Sequence, residues 1–391
     1  IKIVDDQVYV TCKDRLVRLH DLDSDGEADF YESFSADQDV SVNFHAFNFD
    51  LQVDDQGNFY YAKSGHGADT DLPGAIIRVS PDGEQRDVFS TGFRTPNGMG
   101  RLPDGRITVS DNQGQWTPAS KINLLREGGY YGWVGNYSIP GMWAPGGGTI
   151  DLDKVDPPET FDPPLVWMPQ DFDNSSGGQL FVDDDRWGPL SGRLLHTSFG
   201  KGWLYYTMMQ QVGDVSQAAI VKLPFDFRTG IMRAHVNPAD GWVYATGLQG
   251  WNGGGRVGLL ENGIQRLRYT GKPYKMVRDC KVTPDGLSIE FNFPLDVRSA
   301  TSAEAFDVRH WNYRRQKSYG SEKYSPSTGQ VGTDRVNVTS VSLGADGRSV
   351  HLNVPDIRPV DQVHLILKLK AADGDDFEEE IYWTINRVPS Q

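Results

Sequence analysis

The chain has 391 residues, of which 43 are glycine and 22 proline, with aromatics at 11%, a composition that favours short strands joined by specific turns over long helices. Its formal charge of −15, from 38 basic and 53 acidic side chains, repels nucleic acid and anionic lipid, and no Lys/Arg cluster overrides it locally, which excludes nucleic acid as a partner. No run of 18 apolar residues occurs, which excludes a helical membrane span in this chain, and Cys12 and Cys280 are too few for a zinc cluster or a disulfide scaffold, so both are expected as reduced, buried thiols.

In chain order, the pattern predicts a run of strand-and-turn units recurring every 40 to 50 residues or so. The first contains QVYVTC, RLVRLHDLD and ADFYESF. It begins at Ile1 directly in strand-like sequence, without the charged and apolar regions of a signal peptide, so a mature or trimmed product of an exported chain is expected. Within this unit Asp21, Asp23, Asp25, Gly26, Glu27, Asp29 and Glu32 fit D-x-D-x-D-G-x5-E, a spacing that surrounds a hard cation with oxygen ligands around a sharp glycine turn. No amphipathic helix flanks the loop. The prediction is a structural calcium hairpin with Asp21, Asp23, Asp25, Glu27, Asp29 and Glu32 as ligands; the alternative is an acidic, solvated hairpin.

The second unit holds HAFNFDLQVDDQGNFYYAKSG, AIIRVSPDG and QRDVFSTG, and the third runs GFRTPNGMGRLPDGRITVSDNQGQWTPASKINLLREGGYYGW from Gly92 to Trp133. In the third, PDG opens a hairpin, RITVS supplies an alternating strand, and DNQG leaves it through polar loop chemistry. A Gly/Pro-rich insertion spans 134–170. A fourth unit follows with GGQLFVDDD, RLLHTSFGKGWLYYTM and AAIVKLPFDF, and a fifth with GIMRAHVNPADGWVYATG and VGLLENGIQRLRYTG. Beyond Gly271, alternating strands around two Asp-Gly turns predict an immunoglobulin-like β-sandwich. The chain thus divides into a β-propeller over 1–272 and a sandwich over 273–391, all-β throughout.

The third unit resembles the matching segment of soluble quinoprotein glucose dehydrogenases and the related sorbosone-dehydrogenase-like propellers. The resemblance implies six blades, and pyrroloquinoline quinone with calcium at the propeller mouth. It places His45 as general base on a sugar hydroxyl and Arg94 as the cation beside substrate and cofactor. Gly114 and Gln115 match the loop that offers backbone carbonyls to the cofactor calcium; Asn97, Lys201 and Arg233 complete the cofactor-binding set, the two cations gripping quinone carboxylates. Thr95 stands where the family has an Asn, Ile231 where a second Arg would pair with Arg233, and Lys201 is shifted by one residue. The order of hairpin, propeller and sandwich is also similar to modules of large exported planctomycete and verrucomicrobial proteins. Those are membrane-bound dehydrogenase-like and often joined to haem c domains; this chain has no C-x-x-C-H.

Three functions follow. The first is a periplasmic or secreted sugar or polyol dehydrogenase, using His45, a quinone and a cytochrome c electron acceptor. The second is a non-catalytic carbohydrate- or protein-binding propeller, with Trp116, Trp133, Trp143, Trp203 and Trp251 as stacking faces or blade packing. The third is a polysaccharide lyase or hydrolase with His45 or His66 and a Tyr as base and acid. GxSxG, HExxH and a Walker loop are absent.

Overall fold

Alternating apolar and polar residues, punctuated by Gly and Asp-Gly turns, fold the first 270 residues into successive antiparallel meanders. The computed structural model describes residues 1–43, 45–67, 70–135, 158–249 and 255–390. The first meander is β1 (Lys2–Val4), β2 (Gln7–Thr11), β3 (Arg15–His20) and β4 (Phe30–Ala36); the second is β5 (Asn48–Val53), β6 (Phe59–Lys63), β7 (Ala75–Val79) and β8 (Arg86–Thr91). In the third, β9 (Met99–Arg101), β10 (Ile107–Asp111) and β11 (Ser120–Leu124) follow one another, β12 (Gly129–Tyr130) returns to pair in parallel with β8, and β13 (Val166–Met168) adds the outer strand. The fourth is β14 (Ser176–Val182), β15 (Arg193–Ser198), β16 (Trp203–Val212) and β17 (Val215–Asp226), and the fifth β18 (Arg233–Val236), β19 (Val243–Leu248) and β20 (Asn262–Leu267). Gly83 and Gly105 close the Pro-Asp-Gly turns of the second and third meanders at φ +78° and +86°, a backbone conformation costly for residues with a Cβ.

The first strands of successive meanders pack on one another: β5 on β9, β9 on β14, β14 on β18. Asp50 ties this junction together. Held at φ +55° in a bulge of β5, its carboxylate accepts from the N–H groups of Leu51 (2.8 Å) and Met99 (2.7 Å) and pairs with Arg233 Nε at 3.1 Å. Its carbonyl accepts from Thr11 Oγ1 at 2.9 Å. The amino group of Ile1 feels the charges of both Asp50 and Arg233, so the first and fifth meanders meet across the same junction. This all-β arrangement fits a β-propeller. Five meanders are found among the described residues where the resemblance implies six blades, and no sheet closes on itself.

The remaining strands form two layers. One is β21 (Val277–Thr283), β22 (Gly286–Phe291), β26 and β25; the other is β28, β27, β23 (Phe306–Trp311) and β24 (Asp334–Arg335), where β25 is Ser340–Leu343, β26 Ser349–Asn353, β27 Val360–Lys370 and β28 Asp376–Ile385. The second layer continues into the fourth meander. Ala219, Ile220 and Val221 of β17 register with Trp383, Tyr382 and Ile381 of β28, making one eight-stranded sheet. A single apolar core accordingly runs from Leu180, Tyr206 and Val221 to Ile289, Leu365 and Trp383, so the strands beyond residue 273 bury their apolar faces partly against the fourth meander. Of the insertion at 134–170, residues 136–157 lie outside the described residues, as does Trp143; its last part supplies β13. Cys280 is buried as expected, whereas Cys12 is half-buried. No helix among the described residues is long and apolar enough to cross a membrane.

Candidate functional site

Antiparallel topology puts four loops at one end of the strands: the approach to β5 (37–47), the β6–β7 loop (64–74), the β8–β9 loop (92–98) and the β10–β11 loop (112–119). Asp111, at the end of β10 and fully buried, organises them. Its carboxylate accepts from the N–H groups of Arg94 (3.1 Å) and Thr95 (2.7 Å). Burial pushes its pKa up, against the pull of the cross-strand Lys121. Burial in turn lowers Lys121 to about 8; its ammonium is held by the Tyr131 carbonyl and faces the Trp167 ring at 5.2 Å. A carboxylate and an ammonium thus share one dry region behind the loops, each making the other tolerable.

In front of this pair, the Arg94 carbonyl accepts from the N–H groups of Gly65 and His66, both at 2.9 Å, which brings the β6–β7 loop against the β8–β9 loop. His66 therefore sits beside Arg94, and its ring meets His45 at 5.0 Å between centroids. Burial, then the charges of Arg94 and His45, lowers His66 to about 4, so it is a neutral imidazole at physiological pH. His45 is exposed and reaches solvent at the same place. The Arg94 side chain is only 7% exposed, and its guanidinium makes long contacts, 3.4 Å to Gln115 Oε1 and 3.3 Å to Thr95 Oγ1. No carboxylate pairs with it among the described residues. Gly114 permits its path, since a Cβ there would lie 1.8 Å from Arg94 Nε.

The structure thus brings together His45, Arg94 and Gln115. It commits other expected cofactor contacts elsewhere. The Gly114 carbonyl accepts from Thr117 N (3.2 Å) and Gly320 N (3.0 Å), so both of its lone pairs are engaged. Arg233 pairs with Asp50 and donates to the carbonyls of Asn97 (2.5 Å) and Met232 (2.7 Å), which makes it a clamp between the first strands of the meanders. Asn97 is buried, with its amide donating to the Ser176 carbonyl at 2.6 Å; its side-chain oxygen has no hydrogen-bond partner among the described residues. Lys201 lies by the Trp203 ring at 5.7 Å, and Ile231 is fully buried. A calcium–quinone pair seated on Gly114 and gripped by Arg233 does not fit these contacts. Trp133 is a packing residue, only 7% exposed and wedged over Gly65 and Gly74; Trp251 lies outside the described residues.

The acidic hairpin joins β3 to β4, at the opposite end of β3 from the 12–14 turn, and that turn is the one beside the His45 loop, with Lys13 Nζ donating to the Asn43 carbonyl at 3.0 Å. A six-residue strand, about 20 Å long, separates the two places. Asp21, Asp23 and Asp29 offer oxygens within 4.8 Å of one another. Asp25 and Glu27 are not part of that group: the Asp25 carboxylate accepts from Glu27 N at 2.8 Å. Glu32, the expected bidentate ligand, instead binds Arg18 Nε and His20 Nε2, both at 2.7 Å. The reason is register: Glu32 lies on β4 opposite Arg18, among cations that claim its carboxylate.

Sequence reasoning missed the segment between β23 and β24. Gln115 bridges Tyr319, and Trp116 N donates to the Gln316 carbonyl at 2.8 Å, so a loop some 200 residues downstream lies on the β10–β11 loop. Tyr319 faces the Arg94 guanidinium at 5.5 Å. No local pattern signals such a crossing; only the paired glycines, Gly114 and Gly320, are compatible with one.

These features define an all-β protein of radially packed meanders, with a His, His and Arg cluster where the loops of two meanders converge. Residues 68–250 match the family model described as Glucose / Sorbosone dehydrogenase, a span that takes in Arg94 and Gln115 but not His45, His66 or the later strands. No curated protein matches the chain. Among solved structures, a glucose dehydrogenase is 19% identical over 65% of this chain and 73% of its own, with a TM-score of 0.48. An oxidoreductase described as a glucose dehydrogenase from Thermus thermophilus is 20% identical over 65% and 74%, TM-score 0.46. The PQQ-bound aldose sugar dehydrogenase of Streptomyces coelicolor is 17% identical over 67% and 74%, TM-score 0.45. These likenesses are distant and say nothing of activity.

Proposed function

We propose that the chain is a sugar-dehydrogenase-like protein that receives a sugar or polyol hydroxyl at the face formed by His45, His66 and Arg94. The observation that carries the reading is the convergence of these three side chains on loops within and beside the span matching the Glucose / Sorbosone dehydrogenase model. His45 accepts the hydroxyl proton, since an exposed imidazole can be reached by a bound hydroxyl. Arg94 acts through its field on the oxygen where negative charge grows; its guanidinium is buried, and no carboxylate pairs with it among the described residues. His66, neutral beside it, donates or accepts a hydrogen bond without adding charge.

Pyrroloquinoline quinone, when bound with calcium in such proteins, supplies the hydride acceptor. The engaged Gly114 carbonyl and the clamped Arg233 oppose holding it in the way the resemblance implies, so the assignment to this chain stops at hydroxyl recognition and proton acceptance. A cytochrome c acceptor and a periplasmic or secreted location belong to the same reading. The hairpin of Asp21, Asp23 and Asp29 is a separate, structural calcium site. The competing function is a binding face for carbohydrate without turnover, favoured by those same committed contacts.

Titration of the calcium-loaded protein with pyrroloquinoline quinone, followed by dye reduction over aldoses and polyols, separates the two. Sugar-dependent reduction that disappears in His45→Ala supports the dehydrogenase. Sugar binding without quinone binding supports the binding face, and a chain that shows neither sugar binding nor reduction would overturn the proposal.

A further inference from the structure

We propose that Tyr319 is the platform on which the ring of a bound sugar stacks, so that residues 314–320, outside the family-matched span, decide which sugars the face accepts; this rests on the function proposed above. Four observations carry it. Tyr319 is 58% exposed while Arg94, whose guanidinium lies 5.5 Å from the ring centroid, is 7% exposed, so one ring face is turned to the guanidinium and the residue is otherwise open to solvent. An aromatic face open to solvent beside polar groups is a surface on which the C–H face of a pyranose can stack.

The backbone that carries the ring is also fixed. Its own residue bridges Gln115, and the flanking Gln316 carbonyl and Gly320 N–H bond to Trp116 N and the Gly114 carbonyl. Arg315 anchors the approach, donating to the carbonyls of Gly132 and Pro158 and facing the Phe161 ring at 5.3 Å. Gly320, at φ +66°, lets the segment come this close: a Cβ there would stand 2.6 Å from Gln113 Nε2. Finally, Arg94 is shared. The electrostatic neighbours of its guanidinium include Tyr319, and those of His66 include Arg94 and His45, so a ring lying on Tyr319 has its edge hydroxyls beside the cluster that takes the proton.

The test is calorimetric titration of the full chain with cyclic aldohexoses and with open-chain polyols such as sorbitol. Tyr319→Ala should weaken aldohexose binding about tenfold, as expected for a lost stacking face, and change polyol binding by less than about threefold, since a flexible chain has no flat face to stack. Tyr319→Phe should bind as the parent, because the platform needs the ring and not the hydroxyl. Gly320→Ala, which displaces the segment without touching the ring, should show the Tyr319→Ala pattern. Undiminished aldohexose binding in Tyr319→Ala, or equal losses for ring and open-chain ligands, would overturn the platform while leaving the site's function standing. A parent chain that binds none of these ligands would overturn both.

Discussion

Gly114 lies under the Arg94 side chain with no room for a methyl group, so Gly114→Ala must push the guanidinium off its path. The expected outcome is a loss of sugar binding of about tenfold or more, with a melting temperature only a few degrees lower, since the Arg94 backbone stays tied to Asp111. Calorimetry and thermal melts on the same variant check both halves. His66 carries a pH signature. Its pKa falls from the ordinary 6.5 to about 4 on folding, so between those values the unfolded chain binds a proton that the folded chain refuses. Stability contributed by the neutral ring is therefore full above pH 6.5 and drains away as pH falls towards 4. Partial exposure screens the effect. His66→Gln should flatten the dependence of the urea midpoint on pH in that window, and an unchanged slope would show that other groups set it.

Asp50 is the residue whose loss should cost most. It binds two backbone N–H groups and Arg233 at the meeting of three meanders. Removing its charge leaves the half-buried Arg233 without its carboxylate, so Asp50→Asn should destabilise the fold by about 1.5 to 3 kcal/mol, the range for hydrogen bonds to charged groups. Urea unfolding measures it, and a cost below about 1 kcal/mol, the range of a surface pair, would make the ion pair incidental.

Elements differ in how openly the sequence announces them. Strand-and-turn units were legible because their signals are local: Asp-Gly and Pro-Asp-Gly turns, alternating side chains, and aromatic strands such as FYYAK, whose five residues are all buried. The convergence of the His45, His66 and Arg94 loops was legible in part, through the resemblance around Arg94. Glu32 was misassigned because motif spacing counts residues along the chain, while strand register turned its carboxylate to Arg18 and His20. Arg233 was misassigned because a basic residue at the head of a strand looks alike whether it faces a ligand or a partner such as Asp50, 183 residues away by sequence number. The hairpin itself makes a prediction at this scale. Millimolar calcium should raise the melting temperature, by mass action on the folded state. A variant carrying Asn at positions 21, 23 and 29 should lose the response. An equal calcium effect in both would move the metal elsewhere.

For the whole molecule, the decisive feature is the eight-stranded sheet that joins the fourth meander to the later strands. A chain truncated at residue 275 would leave the twelve-residue strand β17 without β28 and uncover Tyr206, Val221 and their neighbours. Unpaired strand edges recruit one another, so the truncated protein is expected in the insoluble fraction or as soluble aggregates by size-exclusion chromatography. A monodisperse, folded fragment would contradict this.

The same pairing sets an order of events during synthesis. The strand that completes the edge of β17 is made about 150 residues after it, at Asp376–Ile385, and translation at about 5 to 20 residues per second leaves that edge waiting for many seconds. During that interval the nascent chain carries an open, apolar seam, and for the first part of it the loops around Arg94 lack their Tyr319 wall. Closure of the sheet thus waits on the synthesis of β28, and the loops around Arg94 wait on residues 315–320, so two distant parts of the fold are completed by chain made after the meanders.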